Sequence, residues 1–188
     1  MTKPNPANPT LSISRPDLAS ALEQIGAEIE HQPLRSSALA RIMRETFHGS
    51  DAGGTWDWRM AYDLMQATAV QALLRGDNSE DDYYAAKLLA SRLLTETRRS
   101  EQQIRLQQFS TPLPFAALTV RAAAIRKGET VLEPSAGTGA PAAFAARAGA
   151  TLLLNEIDPF RQHLLRAVFG GEVTGHDGEH IDDLLQTP

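Results

Sequence analysis

Thr130-Val131-Leu132-Glu133-Pro134-Ser135-Ala136-Gly137-Thr138-Gly139 is the stretch whose reading decides the fold. A short apolar strand, Thr130 to Glu133, ends in a carboxylate and runs into the loop Pro134 to Gly139, after which Pro141 starts a helix of small residues reaching Arg147. Glycine admits backbone conformations closed to other residues and lets a ligand approach the main chain, while the following helix aims its first amides at whatever lies above the loop. Downstream the alternation continues. Ala150 to Asn155 predicts a second strand, Asp158 and Pro159 open a helix to Phe169, and Glu172 to Thr174 predicts a third strand. Strand–helix units of this length imply an α/β fold with a parallel, doubly wound sheet and helices on its faces. Upstream, a helix around Pro114 to Arg126 enters the first strand through Lys127 and Gly128.

The N-terminal half has a different character. Residues 1 to 14 carry three prolines in a polar context and read as a disordered leader. From Pro16, the residues Leu18, Leu22, Ile25 and Ile29 recur at helical spacing until Pro33. A second helix begins after Ser36 and Ser37, carries Leu39, Ile42, Met43 and Phe47 on one face, and ends at Gly49. The third runs from about Trp56 to Arg75 with Gly76 as its cap. A fourth opens at a capping-box-like pair, Ser79 and Asp82, and continues toward Arg105 until Pro112 ends it. The organisation expected is a helical region over 15–108 followed by an α/β portion over 109–188.

Composition narrows the function classes. The 188 residues suffice for one domain, or a small domain and part of another, and 42% hydrophobic with 22% charged residues is a globular balance. With no cysteine there is no disulfide framework, Cys-ligated zinc, iron–sulfur cluster or thiol nucleophile. No apolar run approaches the ~20 residues that cross a bilayer, and the start lacks a secretory signal, so no membrane partner and a cytoplasmic location are expected. The net charge is −5, with 12 basic and 14 acidic residues up to Gln108 and 6 basic and 9 acidic after it, so neither half is a basic arm for nucleic acid.

Three acids gather where the strands end. Glu133 closes the first strand, Glu156 follows the second at 17 residues beyond Gly139, and Asp177 follows the third. In a parallel sheet these positions converge on one crevice, where a carboxylate such as Glu156 can bind ribose hydroxyls. The loop alone also fits a plain glycine turn, and Gly137, Gly139 and Ala142 match the Gly-x-Gly-x-x-Ala dinucleotide pattern. Charge separates the ligands, because Glu133 would repel a pyrophosphate and attract the sulfonium and ammonium of S-adenosylmethionine.

Phe109-Ser110-Thr111-Pro112, Glu133-Pro134-Ser135-Ala136-Gly137-Thr138-Gly139 and Asn155-Glu156-Ile157-Asp158 resemble the successive opening motifs of amino-methyltransferases acting on DNA adenine. With Trp56-Asp57-Trp58, Thr97-Arg98-Arg99-Ser100-Glu101 and Gln107-Gln108, the likeness extends over about residues 35 to 186 to the N-terminal region of strawberry-notch-like methylase/helicase proteins of bacterial plasmids and mobile elements. The resemblance implies the first strand–helix units of a Rossmann-like S-adenosylmethionine-dependent methyltransferase sheet, incomplete here. It further implies that Thr111 binds the methionine carboxylate, that Glu133 and Gly137 neighbour its ammonium, with Gly139 completing the loop, and that Glu156 takes the ribose hydroxyls. Ile157 would pack on the cofactor's adenine and Asp177 would accept its exocyclic amine. The family's Asn-Pro-Pro-Phe element has no counterpart in the sequence, since the only Asn after Asn78 is Asn155. The implied function is the S-adenosylmethionine-binding N-terminal part of a DNA adenine N6-methyltransferase-like protein, inactive alone. Its implied partners are DNA in the complete protein, another copy, or the missing methyltransferase/helicase segment. The alternative is a non-catalytic protein-interaction module derived from a methyltransferase.

Other motifs read as structure. His176-Asp177-Gly178-Glu179-His180 spaces two histidines four apart, but Gly178 breaks the helix a metal site would need. Trp58 with Tyr62, and Trp56 with Met60, share helical faces and are expected in the core. Arg98, Arg99 and Arg105 lie among acids and read as a solvated helix face. No nucleophile elbow supports hydrolase chemistry.

Overall fold

Three parallel strands carry the C-terminal part of the chain in the order β1-β2-β3. The structure, a computed structural model, describes residues 14–76, 81–97 and 109–181. In chain order the elements are α1 (Arg15–His31), α2 (Ser36–Thr46), α3 (Trp58–Arg75), α4 (Asp82–Ala90), α5 (Leu113–Ala123), β1 (Thr130–Glu133), α6 (Ala140–Arg147), β2 (Thr151–Asn155), α7 (Pro159–Phe169) and β3 (Val173–Thr174), then a 3₁₀ turn at Gly178–His180. The mixed α/β class with a small parallel sheet is as the alternating pattern predicts.

Register pairs Thr130 with Thr151, Leu132 with Leu153, and Leu154 with Val173. Strand order follows the chain, and α6 and α7, which connect successive strands, lie on one face of the sheet. There Ala142 and Leu165 close over Leu154 and Val173, with Leu152 and Phe169 at the margin. The other face is bare among the described residues: the register neighbours Leu132 and Leu153 are 41% and 47% exposed.

The helices are organised around α3, whose residues are buried nearly all round, including Met60, Leu64, Met65, Ala69, Val70 and Leu73. A helix that is apolar on every side belongs in the middle of a core. Its first half packs with Leu22, Ile25 and Ile29 of α1, Leu39 and Ile42 of α2, and Phe160 and Leu164 of α7. Its second half packs with Ala86 of α4, Leu113 and Ala116 of α5, and Ala143 and Phe144 of α6. Both apolar clusters thus cross the position at 108 where the sequence changes character. Trp56, Met60 and Tyr62 are buried, and Trp58 packs on Tyr62 with ring centroids 5.7 Å apart.

Two expectations are corrected. The fourth helix starts at Asp82 with Asp81 as its cap, accepting from the Tyr83 amide, and stops at Ala90, far short of Arg105. Tertiary bonds take the backbone that would have continued it: the Arg92 carbonyl accepts from the Leu34 amide at 2.8 Å, and the Leu94 amide donates to Met65 Sδ. The Arg92 guanidinium donates to the Ile29 and Glu30 carbonyls, satisfying the open end of α1. The second helix includes Ser36 and Ser37 rather than following them, with Arg35 at its cap position and no side-chain capping bond. Ser79, residues 1–13 of the proposed leader and residues 98–105 lie outside the described residues, while Ser14, the leader's last residue, caps α1 by accepting from the Asp17 amide. Among the described residues no helix is long and apolar enough to cross a membrane.

Candidate functional site

The loops after the three strands meet because one side chain ties them. Asn155, at the end of β2, is 1% exposed. Its Nδ2 donates to the Pro134 carbonyl at 2.8 Å and the His176 carbonyl at 2.9 Å, while Oδ1 accepts from Thr174 Oγ1 at 2.7 Å and the His176 amide at 2.9 Å. That uses both donors and both lone pairs of the amide. The Ala136 amide adds a bond to the Asn155 carbonyl. The third loop also lies against the first, since a Cβ on Gly178 would fall 2.9 Å from Ser135 Oγ and 3.0 Å from the Pro134 carbonyl oxygen.

The two loop glycines serve different needs. Gly137 has φ +57° with open space where a side chain would stand, so the loop presents bare backbone there. Gly139 has φ +91° and a Cβ on it would fall 2.5 Å from the Phe169 ring, so it permits close packing of the loop on α7.

Glu133 is half-buried on the helix-covered face, in register with Leu154. It has no hydrogen-bond or ion-pair partner among the described residues, and burial pushes its carboxyl above the ordinary glutamate range. Glu156 is different. It is 4% exposed and turned into the protein, with Oε2 accepting from the Gly137 amide at 2.7 Å and Oε1 from the Asp158 amide at 2.8 Å. Burial raises its pKa, opposed by the Asp158 amide, the Arg161 charge and the Gly137 amide. The resemblance gives it the ribose hydroxyls; in the structure its carboxylate braces the glycine loop. Ile157 beside it is 49% exposed, a large apolar side chain standing out between two buried acids. Asp177 is exposed and caps the 3₁₀ turn, accepting from the Glu179 amide at 3.1 Å. Thr111 is exposed just ahead of α5 and makes no hydrogen bond to the three loops among the described residues. Leu113, two residues on, shares a buried cluster with Ala140 and Phe144 of α6.

Behind the loops lies a buried ion network that the sequence reading did not identify. Arg59 Nη1 on α3 donates to Asp158 Oδ2 at 2.9 Å and Asp63 Oδ2 at 3.2 Å, while Arg161 on α7 grips Asp63 Oδ1 through Nε at 3.0 Å and Nη2 at 2.8 Å. All four side chains are buried. Burial lifts the Asp63 carboxyl to about 6 against the pull of both guanidiniums. Desolvation works against the Arg161 charge, but Asp63 outweighs it and holds the guanidinium above its ordinary value. A sequence signal existed: Arg59 and Asp63 stand i, i+4 inside an otherwise apolar helix, and charges buried in such a helix must be paired. Asn155 gave no comparable signal, because a strand-end Asn is equally common as a solvent-facing turn residue.

Asp158 also caps α7, its Oδ1 accepting from the Phe160 and Arg161 amides. His176 and His180 form no metal-ligating group of three His, Cys, Asp or Glu among the described residues. In sum, the carboxylates Glu133 and Glu156, the glycine loop, Ile157 and Asp177 occupy the loops at one end of the sheet. No protein-family model, no curated protein and no solved structure matches the chain.

Proposed function

We propose that the chain is the S-adenosylmethionine-binding N-terminal part of a DNA adenine N6-methyltransferase-like protein, with the crevice at the strand ends as the cofactor site. Glu133 carries this reading: a half-buried carboxylate without a partner among the described residues, beside a loop of bare backbone at Gly137. An ionised carboxylate in that position attracts a cation and repels a phosphate. Exposed Ile157 offers an apolar surface for a purine ring, and Asp177 an acceptor for its amine. Glu156 fits the role of bracing the loop, and the second lone pair on each of its oxygens is what ribose hydroxyls would use. S-adenosylmethionine supplies an electrophilic methyl group on a sulfonium. An acceptor amine must be held in line with that sulfur, and the sequence carries no Asn-Pro-Pro-Phe element to hold it.

Calorimetry tests the reading. S-adenosylmethionine and its demethylated product should bind, nicotinamide dinucleotides should not compete, and Glu133→Gln should weaken binding about tenfold or more, as expected for losing one charge-assisted contact. No labelled methyl should pass to DNA with this chain alone. Tight dinucleotide binding without response to the methyl donor would sink the assignment. The second reading, a protein-interaction module, is favoured by one observation, the bare sheet face at Leu132 and Leu153. Its mark would be partner binding that Glu133→Gln leaves intact.

A further inference from the structure

We propose that Arg59, on the central helix of the helical region, is a positioning residue for the glycine loop, holding Glu156 against Gly137 through Asp158. The inference deepens the cofactor reading and rests on it for the identity of the loop's ligand. The contacts form a continuous relay: Arg59 Nη1 to Asp158 Oδ2 at 2.9 Å, the Asp158 amide to Glu156 Oε1 at 2.8 Å, and the Gly137 amide to Glu156 Oε2 at 2.7 Å. Arg59, Asp158 and Glu156 are all buried, so water does not compete for these bonds and an unmade one is expensive.

Asp158 is the junction. Its Oδ1 is committed to the Phe160 and Arg161 amides at the start of α7, which leaves Oδ2 for Arg59. The direction of its backbone amide, and with it the orientation of Glu156, is set by both anchors together. Without the guanidinium, Oδ2 is a buried carboxylate oxygen short of a donor, and turning the Glu156–Pro159 segment toward water relieves it at the expense of the amide on Glu156. Arg59 is itself fixed, since Nη1 also reaches Asp63, which Arg161 grips from α7. The Asp63–Arg161 pair already ties α3 to α7. The Arg59–Asp158 pair adds a tie at the residue whose amide orients Glu156.

Asp158→Asn separates the two duties of that residue, because its Oδ1 still caps α7 while an amide replaces the oxygen facing Arg59. In the free protein the Gly137 amide proton, donated to a carboxylate, should resonate far downfield and move upfield in Asp158→Asn and Arg59→Met. The backbone resonances of α1 and α2 should stay in place. S-adenosylhomocysteine affinity should fall about tenfold or more in both variants, and Arg59→Lys, which restores one cationic donor, should recover most of the amide shift and affinity. Asp158→Asn decides the matter if Arg59→Met does not fold. An unmoved Gly137 resonance in folded Asp158→Asn overturns the proposal whatever happens to binding. The expected shift in a chain that never binds S-adenosylhomocysteine upholds the relay and overturns the cofactor reading instead.

Discussion

Glu133 and Asn155 sit a few residues from the same crevice and face opposite demands. Every polar atom of the Asn155 side chain is bonded, whereas Glu133 is half-buried with its charge uncompensated among the described residues. Asn155→Ala should therefore cost about 3 kcal/mol in urea unfolding, because several buried loop groups lose partners at once. Glu133→Gln should do the reverse. Its folded pKa is raised above the unfolded value of 4.5, so the native state holds the proton more tightly. The stability it contributes is complete below that value and is lost as pH rises through the raised one. At neutral pH the variant should melt above the wild type, and the difference should shrink as pH falls toward 4. A cationic ligand lowers the same pKa, so binding near pH 5 should release protons from the wild type, visible as binding enthalpies that vary with the ionisation enthalpy of the buffer. A Tm for Glu133→Gln below wild type at neutral pH would mean that Glu133 is engaged in a favourable contact.

At the scale of elements, the short β1, β2 and α7 were legible because turn chemistry frames them: Gly128, Pro134, Gly149 and Pro159 punctuate the chain where they begin or end. The end of α4 was not, because its stop comes from partners distant in sequence, Leu34 and Met65, rather than from a local breaker. The acids at the strand ends were visible as residues, yet the inward turn of Glu156 depends on the Gly137 and Asp158 amides, which no spacing reveals. The α3–α7 contact was hidden for a similar reason. Asp63 and Arg161 are 98 residues apart, and only the fold makes them a pair. Asp63→Asn should expose how much that pair holds. It leaves two buried guanidiniums short of a carboxylate, a loss of about 3 kcal/mol, or roughly 6–12 °C in Tm. The folded carboxyl binds its proton near pH 6, above the unfolded value of 3.8, so the wild type gains stability as pH falls through about 6 and the variant does not; the cost should be smallest above pH 7 and grow toward pH 5. A destabilisation of equal size at pH 5 and pH 8 would show that Asp63 stays ionised throughout.

The whole molecule has one side well covered and one side open. The helices share two apolar clusters that reach across to α6 and α7, so the helical region is part of the packing that supports the sheet, and none of its described elements lies over Leu132 and Leu153. Among the described residues β1 pairs only with β2, which leaves its other edge with open backbone donors and acceptors next to that leucine pair. Edges of this kind are normally charged, bulged or covered, and among the described residues only the inward-pointing Glu133 at the strand's end guards Thr130-Val131-Leu132. We expect the chain to self-associate through this surface in a concentration-dependent manner, as light scattering over a dilution series would record. Leu132→Lys should weaken the association by roughly tenfold to a hundredfold, corresponding to the ~1.5–3 kcal/mol gained by burying one leucine, and should leave thermal unfolding of the dilute chain unchanged. Leu118→Lys, also exposed, on α5, which shares no buried cluster with the strands, is the control and should leave association as it was. A wild-type chain that stays monomeric at all concentrations, with the outward amides of β1 protected from hydrogen exchange, would mean that the edge is covered by residues of its own chain.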